Sequence, residues 1–124
     1  MNTIDAFQGK EDVIFGKGVS EEEILFAERE LDLRFADDYR AYLRDIGLVM
    51  CNGHELTGIG KAERTNVVFV TKRMKELHST IPNDWYVVEN ENMDGALIWQ
   101  DSLGNIYFNT KKIFSSLMEY IADF

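Results

Sequence analysis

Residues 19–47 read VSEEEILFAERELDLRFADDYRAYLRDIG, and the fold turns on this stretch. Ser20 followed by Glu21, Glu22 and Glu23 is a capping box: the Ser20 hydroxyl can accept from the backbone N–H of Glu23 while the Glu23 carboxylate reaches back. Three acids in a first helical turn also oppose the positive end of the helix dipole. The helix then places Ile24, Ala27 and Leu31 on one face, with Leu25 and Phe26 widening the stripe and Glu28 and Arg29 outward; it should stop near Asp32. A second helix follows, capped by Asp37 or Asp38, in which Tyr39, Tyr42, Leu43 and Ile46 recur at i, i+3, i+4 and i+7 before Gly47 ends it. Arg40 and Arg44 lie one turn apart on its opposite side, where ion pairs with neighbouring acids are the expected use, since no Gly-rich loop accompanies them.

Two apolar helix stripes in succession need another layer to cover them, and the downstream sequence supplies strands. From Leu48 to Gly60 short apolar pieces broken by Asn52, Gly53, Gly58 and Gly60 suggest one or two strands with turns. The segment from Asn66 to Leu77 is ambiguous, because Val67, Val68, Phe69 and Val70 alone read as a strand. Its length, the polar run from Thr71 to Glu76 and the seam Val67, Val70, Met74 and Leu77 favour a helix capped by Asn66, with Lys72, Arg73 and Lys75 as a basic stripe. After Pro82 come a strand from Trp85 to Glu89, turn residues from Asn90 to Gly95 and a strand from Ala96 to Gln100. A hairpin loop from Asp101 to Asn105 follows, with Gly104 at positive φ, then a third strand from Ile106 to Asn109. Ser115 or Ser116 can cap a last helix whose Leu117, Met118, Ile121 and Phe124 dock on the sheet. The expected fold is therefore α+β: a single domain over residues 1–124, mainly an antiparallel sheet flanked by N-terminal helices, an inserted helix and a C-terminal helix.

Charge constrains function. With 13 Lys and Arg against 22 Asp and Glu in 124 residues, the net charge is −9, which disfavours direct binding to nucleic acid or to anionic membranes. The acids concentrate in the first 60 residues and again between residues 79 and 110, where no base occurs. No secretory segment and no apolar run of membrane-spanning length is visible, so a soluble, cytoplasmic protein is expected. A lone Cys51 leaves no disulfide framework.

Catalytic and cofactor motifs fail in turn. Gly16-Lys17-Gly18 carries the Gly-Lys pair of a phosphate loop, but Glu11 stands where the leading glycine belongs and Gly18 where a magnesium-binding hydroxyl belongs. Gly58-Ile59-Gly60 lacks its third glycine, Glu63 standing there, so both glycine pairs are expected to serve turns. Cys51 and His54 are too few for zinc, Asp94 and Asp101 too far apart for one calcium loop, and no metal or cofactor is expected. Cys51 with His54, or a carboxylate pair such as Glu89 and Asp101, are the only catalytic candidates, and neither carries a recognisable signature; no catalytic residue is assigned. What remains is a surface. Glu89, Glu91, Asp94 and Asp101, interleaved with Trp85 and Tyr86, would gather at one end of the sheet and offer aromatic anchors with acidic surroundings to a basic partner. Core packing of Trp85 and hairpin solvation of the acids remain the competing uses.

A family pattern runs through the same residues. Val19-Ser20-Glu21-Glu22-Glu23-Ile24, Glu28 with Leu31 and Leu33, and Asp38-Tyr39-Arg40-Ala41-Tyr42-Leu43 resemble the N-terminal signature of the SUKH superfamily. Ile81-Pro82 before a strand, Asp94-Gly95 before Ala96 to Gln100, and Ser115 to Ile121 agree in order. The similarity spans about residues 19–122 and is greatest to the YobK type of bacterial antitoxin. Phe35-Ala36 replaces the usual Leu-Pro step, and Ile46-Gly47-Leu48 the usual Asn-Gly. The resemblance implies an immunity protein that binds and neutralises a cognate toxin, a nuclease and more narrowly a ribonuclease, by occlusion. A non-catalytic scaffold or regulatory adaptor is the alternative, and a homodimer stays open.

Overall fold

A computed structural model describes residues 3–91 and 96–124. Its first helix, α1 (Glu21–Leu31), begins where the capping box puts it: Ser20 Oγ accepts from the Glu23 N–H at 3.2 Å, and the Glu23 carboxylate accepts from the Ser20 N–H at 3.4 Å. It ends with Asp32 in the left-handed region, φ 53°. The second helix, α2 (Asp37–Asp45), starts without a side-chain cap, because Ala36 occupies the cap position and both aspartates fall inside the first turn. The expected cap at Asp37 or Asp38 is thus corrected. Asp38 instead accepts from the Leu117 N–H at 2.7 Å and from Gln100 Nε2 at 3.0 Å, tying α2 to the last helix and to the sheet.

The sheet is a seven-stranded antiparallel meander in chain order: β1 (Ile14–Phe15), β2 (Val49–Cys51), β3 (His54–Leu56), β4 (Tyr86–Glu91), β5 (Ala96–Gln100), β6 (Ile106–Phe108) and β7 (Lys111–Phe114). Two of these strands, β1 and β7, were not anticipated from sequence. β1 has only two residues and finds its partners, Met50 and Val49, beyond both helices, so no local pattern marks it. β7 is largely exposed and therefore lacks an apolar alternation.

The ambiguous segment is helical, as its length suggested. In α3 (Val67–Leu77), Asn66 Oδ1 accepts from the N–H groups of Val68 and Phe69 at 3.0 and 3.3 Å. The terminal helix α4 (Leu117–Ala122) is capped by Ser116, which accepts from the Glu119 N–H at 3.1 Å.

Alternation along β4 and β5 divides the interior. Tyr86, Val88 and Ile98 join α1, α2 and α4 in the main core, while Trp85, Val87, Leu97 and Trp99 form a second, smaller cluster with Val70 of α3. Burying each fully enclosed leucine or isoleucine of the main core stabilises the fold by roughly 1.5–3 kcal/mol. The core tyrosines keep their hydroxyls satisfied: Tyr39 meets Thr57 Oγ1 at 2.9 Å, Tyr42 donates to the Thr57 carbonyl at 2.8 Å, and Tyr86 donates to Gln100 Oε1 at 2.6 Å. Burial pushes all three phenols above their usual range.

Both glycine pairs that failed as phosphate motifs have a structural use. A Cβ on Gly58 would sit 1.6 Å from the Gly47 carbonyl oxygen, and one on Gly18 would sit 1.9 Å from that of Arg44. Three chain segments, those before α1, after α2 and after β3, therefore cross at a spacing that admits no side chain.

Candidate functional site

Glu89 is the centre of a polar group that reaches three elements of the fold. A register shift between Val87 and Glu89 puts Val88 and Glu89 on the same side of β4, so the carboxylate enters the main core, where it is 3 % exposed. It accepts from His54 Nδ1 with both oxygens at 3.1 Å, from the Glu55 N–H at 3.3 Å, and from the Tyr120 hydroxyl. The His54 ring in turn stacks on Phe124, centroids 4.0 Å apart and planes 2° from parallel. This arrangement holds the β3 hairpin, β4 and the C-terminal segment together.

Asp101 closes the β5–β6 hairpin. Its carboxylate accepts from the N–H groups of Leu103 and Asn105 at 3.0 and 2.9 Å, from Asn105 Nδ2 at 3.0 Å and from the Tyr107 hydroxyl at 2.9 Å. Burial pushes this carboxyl up, yet the hydrogen bonds outweigh it and hold Asp101 below the usual carboxylate range. Gly104 takes φ 106° in the same turn, as the sequence required.

Four of the six residues singled out from sequence, Trp85, Tyr86, Glu89 and Asp101, are buried. Trp85 lies in the smaller core cluster and stacks on Tyr107 at 3.9 Å, and Tyr86 is buried between Gln100 and the Ala36 N–H. With Glu89 and Asp101 they are committed inside the fold, so in this conformation none of the four presents a side chain to solvent. Glu91 belongs to β4, its backbone opposite Ala96, and Asp94 lies outside the described residues, as does most of the Asn90 to Gly95 turn.

The catalytic candidates do not assemble. Cys51 and His54 face each other across the β2–β3 ladder, but Cys51 Sγ points at the Glu11 carbonyl, 3.9 Å away, while His54 turns its Nδ1 to Glu89. Burial pushes the Cys51 thiol up, with Lys10 opposing and Asp12 adding to the shift, which disfavours the thiolate a nucleophile needs. Glu89 and Asp101 are each enclosed by their own donors. Among the described residues no three His, Cys, Asp or Glu side chains are placed to hold a metal, and no helix is long and apolar enough to cross a membrane.

Charged side chains at the surface sort into paired and unpaired. Arg40 bridges Glu21 and Glu28, Arg44 reaches Glu21 at 3.8 Å, and Glu28 also accepts from the Phe35 N–H at 2.9 Å. On the basic stripe of α3, Lys72 meets Glu30 at 3.4 Å and Lys75 donates to the Asn83 carbonyl at 2.6 Å. Glu22 has no ion-pair partner among the described residues and stands exposed on α1. Sequence reasoning did not single it out as a contact, since three adjacent glutamates were fully explained by the helix start.

A protein-family model, SUKH_5, described as SMI1-KNR4 cell-wall, matches residues 2–124. No curated protein matches the chain.

Proposed function

The chain belongs to the SUKH_5 (SMI1-KNR4) family, whose members are generally non-catalytic immunity proteins, and from that premise we propose that it is itself an immunity protein. It would bind a cognate toxin in the manner of the YobK type and neutralise it by covering the surface the toxin needs. A ribonuclease is the proposed toxin, because an enzyme acting on RNA must present positive charge to phosphates.

The observation that carries this reading is the distribution of charge: a net −9 whose buried members are internally satisfied, with exposed acids such as Glu22 left to face solvent. An acidic protein is drawn to a basic active-site cleft at long range, which raises the association rate before any contact forms. Glu91 and Asp94 are proposed to share in the contact, with Trp85, Tyr86, Glu89 and Asp101 supporting the sheet from within.

Co-expression with the C-terminal domain of any toxin-like protein found encoded next to this chain tests the proposal, scoring growth and cellular RNA integrity. Restored growth with intact RNA is expected. Restored growth against a toxin that leaves RNA intact on its own would discard the ribonuclease, and no rescue from a demonstrably toxic domain would favour the adaptor.

A further inference from the structure

We infer that the groove between α1 and α3 is the docking site for a basic, amphipathic segment of the protein partner. Ala27, Ile59, Val68 and Phe26 give it apolar lining, and Glu22 and Glu23 are among its polar lining residues, around a volume of about 550 Å³. The apolar lining flanks the main core, where Ile59 and Val68 are only partly covered. Phe26 is 58 % exposed and Phe69, next to Val68 on α3, is 40 % exposed. An exposed phenylalanine lining an open apolar groove, as Phe26 does, is costly in a free monomer and productive in an interface.

Charge selects the occupant. Glu21 is consumed by Arg40 and Arg44, and Lys72, the base across the helix pair, is held by Glu30. Glu23 is engaged only with the Ser20 cap, and Glu22 has no partner among the described residues, so the groove keeps negative charge beside its apolar lining. That combination fits a segment with an aliphatic or aromatic side chain for the apolar lining and an Arg or Lys one helical turn away for the glutamates. A second copy of this chain does not fit, because an isologous contact through this face would bring the same glutamates together on two molecules of charge −9.

This inference rests on the protein-binding reading above, and its test separates the two. The full chain is titrated, under observation by NMR, with a synthetic amphipathic peptide bearing Leu and Arg on one face, and with the same peptide carrying Glu in place of Arg. Shifts centred on Ala27, Ile59 and Val68 are expected with the Arg peptide alone. Shifts centred on the exposed Ile14 and Met50 of the β1–β2 edge, or equal responses to both peptides, would overturn the groove.

Affinity for a toxin domain that this chain neutralises in co-expression is then measured for Phe26→Ser, Glu22→Lys and, as a control on another exposed apolar side chain, Leu103→Ser. Phe26→Ser should weaken binding roughly tenfold or more, Glu22→Lys by about threefold with the loss shrinking at high salt, and Leu103→Ser not at all. All three sites are exposed, so circular dichroism should be unchanged. A toxin bound equally by all variants would overturn the groove and leave the immunity reading standing. Peptide binding at the groove without toxin rescue would do the reverse.

Discussion

Glu89 on β4 and Glu22 on α1 carry the same carboxylate in opposite surroundings. The first accepts hydrogen bonds from His54, from the Glu55 backbone and from Tyr120 inside the main core; the second stands in water at a helix start. A carboxylate taken out of water must recover its solvation from fixed donors, and those donors then depend on it. An exposed carboxylate keeps its water, contributes little to stability and projects its field outward. The difference divides the acidic residues of this protein into those that hold the sheet and those free to meet a partner.

Removing the buried member should have the largest effect. Glu89→Ala removes an acceptor of the Tyr120 hydroxyl, the Glu55 N–H and His54 Nδ1 and opens space in a packed core. A loss of roughly 2–4 kcal/mol in unfolding free energy by urea denaturation is expected. A loss below about 1 kcal/mol, within the range of surface substitutions, would erase the distinction between the two classes.

Why Glu89 belongs to the buried class was not legible from its neighbours in sequence. Strict alternation from Tyr86 through Val88 would send Glu89 to the face opposite the main core, and only the bulge turns it inward. Its partners come from the β3 strand and from α4, and local pattern does not register contacts across such separations. Local features were legible for the same reason in reverse. The Ser20–Glu23 box, the Asn66 cap and the positive φ of Gly104 each depend on residues within a few positions, and each stands where the sequence put it. The crossing of Gly18, Gly47 and Gly58 shows both sides: the glycines themselves signalled turns, but the carbonyls they must approach belong to distant segments. The groove was invisible for the same reason, since Phe26 and Val68 share it only once α1 and α3 are packed.

Two aspartates, the buried Asp101 and the half-buried Asp38, sharpen the comparison, with intermediate effects. Four donors hold Asp101 below the ordinary value of 3.8, so the stability it confers is complete above that pH and is lost as pH falls through its folded value. Burial raises Asp38 above 3.8 despite the hydrogen bonds from Leu117 and Gln100, so its contribution is complete below that pH and declines as pH rises through its folded value. Asp101→Asn should flatten the stability profile on the acid side of 3.8, and Asp38→Asn should flatten it on the other side. Denaturation midpoints collected across the carboxylate range check both. An Asp101→Asn profile with the wild-type slope at acid pH would show that the hairpin donors do not act on the charge.

The smallest expected effect is at the exposed member. Glu22→Gln removes a charge that has no ion-pair partner among the described residues, and what it loses within the fold is its interaction with the N-terminal end of the α1 dipole, about 0.3–0.5 kcal/mol. Urea midpoints should therefore hardly move, while 1 M salt, which screens exposed charges, should bring the variant and the wild type closer still. The value of so small a number lies in its pairing with Glu89→Ala. If charge at residue 22 alters the rate of association with a basic partner while leaving stability in place, the two roles of acid in this fold are separable by substitution. A stability loss at residue 22 approaching that at residue 89 would instead mean that α1 depends on its glutamates for folding, and that their exposure does not mark them as free for binding.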